Sequence, residues 1–348
     1  MTAERALAAP VHLRSFAPAD LPALVTFWNL TFADQRNFRP LTEAEFRARV
    51  LDSPYFEEAG LLLAWSSQQS HVDGELVGVA HAFRPRAAGV NGWAGTQPHH
   101  ALALLAVRPD QRRQGIGGRL LRAAEEWLHY CPVYVGGLDQ PCYGTLEQFE
   151  APFFGSSERL GLSARATETI GFLSRRGYRA FGAGDVSMTL DFATRMPTPP
   201  SLPPAAGQSE VRLLRGGTGH SVAGPVSGMR HWFEKETGRE SKPYHSLLLV
   251  DFARHAQGQV VGSIIWYEQA SGRCALSGFW LAQEWRGRGL GAWLLDSALH
   301  AMATWPPPAG GYAGVELHTH LTHYPRAMQM YERRGFVVDD LWVNLEKT

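Results

Sequence analysis

The chain is short of cysteine, has no surplus of either charge and contains no long apolar run. Three cysteines, Cys131, Cys142 and Cys274, are scattered over 348 residues. They are too few for a disulfide framework or a zinc knuckle and suit a reduced, cytoplasmic setting. Lys plus Arg and Asp plus Glu both number 33, so no net charge draws the chain to nucleic acid or an acidic membrane. No apolar run reaches membrane-spanning length, and the opening MTAERALAAPVHLRSF lacks a signal-peptide core. What is present is globular. Hydrophobic residues at 45% against 19% charged support packed cores rather than disorder, and the length exceeds one usual domain.

The order of elements restarts halfway. Strands are predicted at Val11–Phe16, Leu61–Trp65, Leu76–Phe83 and His100–Val107. Helices are predicted from Ala19 to Ala33, with Asp20 as cap, from Thr42, where Thr42 and Glu45 have capping-box spacing, and up to about Leu128. The Gly-, Pro- and aromatic-rich stretch Cys131–Leu162 follows, its Tyr143–Phe154 part read as core packing or a lid. A helix over Thr167–Arg176 ends at Gly177, and strand Tyr178–Leu190 closes the half. Ala193–Ser209, ATRMPTPPSLPPAAGQS, reads as a semi-rigid linker. Strands at Val211–Leu214, Ser246–Asp251, Val260–Tyr267, Cys274–Leu281, Val315–Thr319 and Phe336–Leu345 then repeat the pattern. Their helices are Val226–Thr237, one running to about Thr304 before Trp305–Pro308, and Pro325–Arg334 before Gly335. Gly115 and Gly289 stand about 174 residues apart, which is a duplicated domain rather than a short repeat.

Each half carries a glycine turn between its fourth strand and a helix: Arg112-Arg113-Gln114-Gly115-Ile116-Gly117-Gly118 after Val107, and Arg286-Gly287-Arg288-Gly289-Leu290-Gly291-Ala292 after Leu281-Ala282. Glycines let backbone approach a ligand, and the first helical amides with the helix dipole bind phosphate. A P-loop would need Gly-Lys-Ser/Thr, which neither copy has. A dinucleotide fingerprint would follow the first strand of a parallel unit, not the fourth. A pyrophosphate on successive amides, flanked by arginine, remains, beside an ordinary strand–helix turn.

Both turns match the Arg/Gln-x-x-Gly-x-Gly/Ala acyl-CoA motif, and Ala327-Met-Gln-Met-Tyr331-Glu-Arg-Arg-Gly335-Phe336 matches a helix–Tyr-Glu-x-x-Gly-Phe signature. On these residues the chain resembles the GNAT superfamily of N-acetyltransferases, in its tandem, double-domain form. The resemblance implies an α/β (α+β) fold: residues 1–192 and 210–348 each a mixed, mainly antiparallel central sheet flanked by helices, joined by linker 193–209. It implies acetyl-CoA as co-substrate and a small-molecule amine or peptide N-terminus as acceptor, with no nucleic acid, no membrane and no metal. Cofactor contacts fall on Val107, Arg112 to Gly118, Leu281, Ala282 and Arg286 to Ala292, with an amide at Leu281 or Trp280 polarising the thioester. Tyr331 takes the general-acid place. Leu173 holds that place in the first half, which is expected to bind coenzyme without turnover unless Tyr143 or Tyr178 substitutes. Tyr324 stands where the family has an asparagine.

Glu316, His318 and His320 alternate on one strand and share a face. Glu316 or His318 would serve as base, directly or through water, or both are ordinary strand residues. Adding His323 gives a zinc-like spacing without a fourth ligand, and Cys142 and Cys274 lack a Cys–His–acid setting. The competing class is an acyl-CoA sensor without turnover.

Overall fold

The computed structural model describes residues 10–53, 56–66, 74–84, 100–129, 133–136, 142–143, 153–157, 162–203, 210–216, 245–253, 258–269, 272–304 and 311–348. The first half runs β1 (Val11–Ser15), α1 (Leu21–Thr31), α2 (Glu43–Phe46), β2 (Leu61–Ser66), β3 (Glu75–Phe83), β4 (His100–Val107), α3 (Ile116–Trp127), β5 (Val133–Val135), β6 (Leu162–Ser163), α4 (Thr167–Ser174) and β7 (Arg179–Asp191). The second runs β8 (Val211–Arg215), β9 (His245–Asp251), β10 (Gln259–Glu268), β11 (Cys274–Leu281), α5 (Leu290–Thr304), β12 (Gly314–His320), α6 (Pro325–Glu332) and β13 (Val337–Lys347). The helix read over Val226–Thr237 and the stop at Trp305–Pro308 lie outside the described residues.

Local chemistry explains the helix starts. Thr42 and Glu45 form the expected capping box, Glu45 N donating to Thr42 Oγ1 at 3.2 Å and Thr42 N to Glu45 Oε2 at 2.8 Å. Asp20 does not cap α1 through its side chain. Its carboxylate instead accepts from Ala17 N at 2.7 Å and from Arg14 Nη2 at 2.6 Å, tying β1 to the turn before the helix.

The strands form one mixed, mostly antiparallel sheet in the order β1-β2-β3-β4-β5-β13-β7-β12-β11-β10-β9-β8, with β6 also on β13. Only β4–β5 and β11–β12 are parallel among the described pairs. The mixed, mainly antiparallel strand set expected in each half is present, and the two sets join edge to edge in this one sheet. The terminal strands cross over: β13 pairs with β5 of the first half, and β7 pairs with β12 of the second, while β7 and β13 pair with each other. Side chains follow. Val186, Met188 and Leu190 of β7 pack with Leu290, Leu294 and Leu317 of the second half. Leu345 of β13 packs with Leu120, Leu128 and Leu173 of the first.

The first half's other face buries Trp28, Phe46, Tyr143, Phe153 and Phe154. The described ends of the aromatic stretch are thus core. Tyr143 Oη lies 2.8 Å from Nδ1 of the fully buried His81, whose pKa burial pushes down to about 3, so this pair is a neutral hydrogen bond.

Because β13 completes the first half, a chain ending at Gly335 should lose the cooperative thermal unfolding of both halves. A surviving first-half transition would show that half to be self-sufficient.

Candidate functional site

Both halves open the sheet in the same way. β4 slips register against β3 at Ala103, and β11 against β10 at Ser277. These bulges are about 174 residues apart, the offset of the glycine turns. A bulge bends its strand, and β4 matches β5 only at His100 and Ala101, β11 matches β12 only from Cys274 to Leu276. Beyond those residues the parallel neighbours part. Arg108 N donates to Val77 O at 3.0 Å and Ala282 N to Val261 O at 2.8 Å. Ladder alternation then turns the amides of Val107 and Leu281 away from β3 and β10, into the gaps. That arrangement leaves the Leu281 amide facing the gap and commits the Ala282 amide to the sheet.

The turns themselves are copies at the level of single bonds. Arg113 (φ 66°) and Gly115 (φ 85°) are left-handed, as are Gly287 (φ 77°) and Gly289 (φ 78°). Arg112 Nε donates to Val107 O at 3.1 Å, and Arg286 Nε to Leu281 O at 3.0 Å. The first backbone bonds inside each helix come from Arg119 N to Gly115 O and from Trp293 N to Gly289 O. The amides of Ile116, Gly117 and Gly118, and of Leu290, Gly291 and Ala292, are left without intrahelical acceptors, as an anion cradle requires. Gln114 bonds Gln111 and Arg288 lies over Trp285, which places both side chains on the turns' own surfaces.

The clefts below the turns differ. In the first half a cavity of about 980 Å³ runs from Arg112–Gly118 past Leu104 and Val135 to Thr31, Arg36 and Asp340. In the second, Arg334, just past the end of α6, pairs with Asp296 of α5 and donates from Nη2 to Ala292 O at 3.3 Å, beside a cavity of about 710 Å³ that Arg326 and Arg333 also line. The linker follows these helices: Pro197 O is 3.3 Å from His300 Nδ1, and a Cβ on Gly289 would meet Pro203 at 3.6 Å.

Tyr331 sits on α6 within the second core, its ring 5.6 Å from that of Phe336. Leu173 is buried at the matching place. Both other phenols are held by partners of their own. Tyr178 donates to Glu125 Oε1 at 3.0 Å, where Lys347 Nζ also binds, and burial with the Glu125 charge raises its pKa. Tyr143 is held by His81, and no tyrosine lines the first-half cavity among the described residues.

Glu316 faces the first half. Only 1% exposed, its carboxylate accepts from Arg36 Nη2 at 2.8 Å, Asn37 Nδ2 at 3.0 Å and Ser157 N at 2.8 Å, all from the first half. These three donors tie the second half's β12 to the first half. His318 lies beside Asp185 of β7, Nε2 to Oδ1 3.6 Å, whereas His320 stacks on His323 and accepts from two backbone amides. The histidines therefore serve different neighbours. Cys274 is buried and its thiol pKa raised by burial, the opposite of an activated nucleophile. Nothing in the sequence pointed to Arg36, Asn37 or Asp185, because their partners lie in the other half of the chain.

A parted parallel strand pair leading into a glycine turn at a helix start is a scaffold that presents unpaired amides to an anion. The family model for the acetyltransferase (GNAT) family matches residues 30–130 and 220–336, and the chain belongs to that family. No curated protein matches it significantly. In fold it is similar to a tandem GNAT protein from the clavulanic acid biosynthesis pathway (TM-score 0.64, 16% identity, covering 97% of this chain and 98% of that one). It is also similar to a GCN5-related N-acetyltransferase from Sphaerobacter thermophilus (TM-score 0.58, 17% identity, 97% and 95% covered). No described helix is long and apolar enough to cross a membrane.

Removing Glu316 leaves the Arg36 guanidinium without one of its two carboxylates. Glu316→Ala should cost ~3–5 kcal/mol in urea unfolding; a loss below about 1 kcal/mol would contradict the interlock.

Proposed function

We propose that the chain transfers an acetyl group from acetyl-CoA to a primary amine by direct attack in a ternary complex, with the chemistry in residues 210–348. Residues 1–192 hold a second coenzyme without turnover, and 193–209 link the two. The observation that carries this reading is the repeated turn, of which only the copy at Arg286–Ala292 accompanies a tyrosine at the acid position. The reading suits a reduced, cytoplasmic protein.

Each residue has a separable task. Amides from Leu290 to Ala292 hold the pyrophosphate, and the Leu281 amide polarises the thioester carbonyl. The amine nitrogen bonds to that carbon as the carbon–sulfur bond breaks. His318, oriented by Asp185, takes the amine proton directly or through water. Tyr331 gives its proton to the leaving thiolate, a donation a phenol makes at neutral pH. Acceptors in keeping with this scheme are small amines and peptide N-termini.

A sensor that binds acyl-CoA without turnover is the second reading, favoured by the linker and the Arg334–Asp296 pair crowding the second turn. Free-thiol release across an amine panel separates the two. Tyr331→Phe should lower the transfer rate roughly a hundredfold with coenzyme affinity nearly intact; an unchanged rate removes Tyr331 as the acid. Gly289→Trp, strained at positive φ and filling the cradle, should abolish coenzyme binding in the second half and all turnover. Turnover that survives it would move the chemistry to the first half.

A further inference from the structure

The linker follows a defined path. Strand β7 ends at Asp191, whose Oδ1 accepts from Ala193 N at 2.8 Å and whose carbonyl accepts from Arg195 N at 3.1 Å. The chain thereby turns onto the helices of the second half. Arg195 lies over the end of α6: its Nη2 donates to Arg333 O at 3.2 Å, and a Cβ on Gly335 would meet its Cδ at 2.7 Å. Pro197 O follows beside His300 Nδ1 on α5, and Pro203 reaches Gly289 at the start of that helix. The lengths agree. From Pro197 to Pro203 a polyproline helix rises about 19 Å, and from His300 back to Gly289 an α-helix spans about 17 Å. Pro197, Pro199, Pro200 and Pro203 hold this stretch extended. The linker therefore runs antiparallel to α5 and arrives at the second anion turn.

The first half supplies the comparison. A Cβ on Gly115 would meet nothing within 4 Å, whereas one on Gly289 would meet Pro203 Cβ at 3.6 Å, an ordinary contact. A pyrrolidine ring offers no acceptor to the amides of Leu290, Gly291 and Ala292, so it covers the approach to the turn without satisfying it. Nor is that end strongly held. Leu202, next to Pro203, is 59% exposed and Met196 56%. A segment that buries so little apolar surface opens at low cost. Its prolines keep it extended once released, so little chain entropy separates the docked and free forms.

We propose that residues 196–203 are a displaceable strap that competes with coenzyme for the turn at Arg286–Ala292, holding the second half partly shut while the first stands open. This rests on the reading of that turn as a coenzyme cradle and adds its regulation. The strap springs from β7, the strand the first half lends to the second, which ties the gate to the junction between the halves. Competition of this kind weakens the apparent affinity by the fraction of time the turn is uncovered.

Calorimetric titration of coenzyme A into the full-length protein tests the strap, the heat lost in Gly289→Trp marking the second-half site. In a strap variant of unchanged length, Pro199, Pro200, Leu202 and Pro203 are all replaced by glycine. It should bind coenzyme A in the second half at least about fivefold more tightly, with first-half affinity within about twofold of the unaltered protein. A polarity-sensitive bimane on Leu202→Cys, in a Cys131→Ser background, should change its emission as coenzyme A fills the second-half site. Unchanged second-half affinity in the strap variant would overturn the proposal, as would a label that coenzyme A leaves unmoved. Weaker affinity would overturn it too, by showing the prolines to be coenzyme contacts. If Gly289→Trp removes no heat, the coenzyme reading of the turn fails instead, and inorganic pyrophosphate replaces coenzyme A in the titration. Pyrophosphate that binds more tightly to the strap variant keeps the strap as the guard of an anion site, and pyrophosphate that does not refutes it.

Discussion

Everything in this molecule depends on the exchange of its two terminal strands. β7 leaves the first half to border β12, and β13 leaves the second to border β5. Each half's fifth strand is the outer wall of its own parted pair, so each cleft is braced by the other half. The buried carboxylate of Glu316 shows the consequence at one residue. It belongs to the second half, yet Arg36, Asn37 and Ser157 of the first satisfy it. A charge that deep is tolerable only with its donors in place, which makes the register between the halves a matter of several hydrogen bonds rather than of apolar contact alone.

Within that frame the same local devices build two sites. A one-residue bulge bends the fourth strand away from its parallel partner, and the gap exposes amides that a continuous ladder would consume. A left-handed glycine then turns the chain so that a helix begins with its unpaired amides outward. Divergence comes afterwards, from side chains. Leu173 against Tyr331, and the open cavity against the Arg334–Asp296 pair and the linker, distinguish the two copies of one scaffold.

The part of this visible in the sequence was the part that is local. Thr42 and Glu45 announce their capping box, Gly115 and Gly289 their turns, and Tyr331 its signature, because each acts on residues a few positions away. What was not visible is long-range. Alternation placed Glu316, His318 and His320 on one face but could not say that Arg36 would reach Glu316 or Asp185 would reach His318. Asp20 has the form of a cap, yet Arg14 on the preceding strand claims it. Strand exchange left no trace either, since β7 and β13 read as well beside one neighbour as another.

In the function proposed above, the turn at Arg286–Ala292 delivers an acyl thioester to Tyr331. A structure of the protein with acetyl-CoA tests it most directly. The expected result is coenzyme pyrophosphate on the amides of Leu290–Ala292, the thioester oxygen at the Leu281 amide and the Tyr331 hydroxyl within hydrogen-bond reach of the sulfur. Acetyl-CoA held only in the first-half cleft, with the second-half turn empty at saturating concentration, would contradict it.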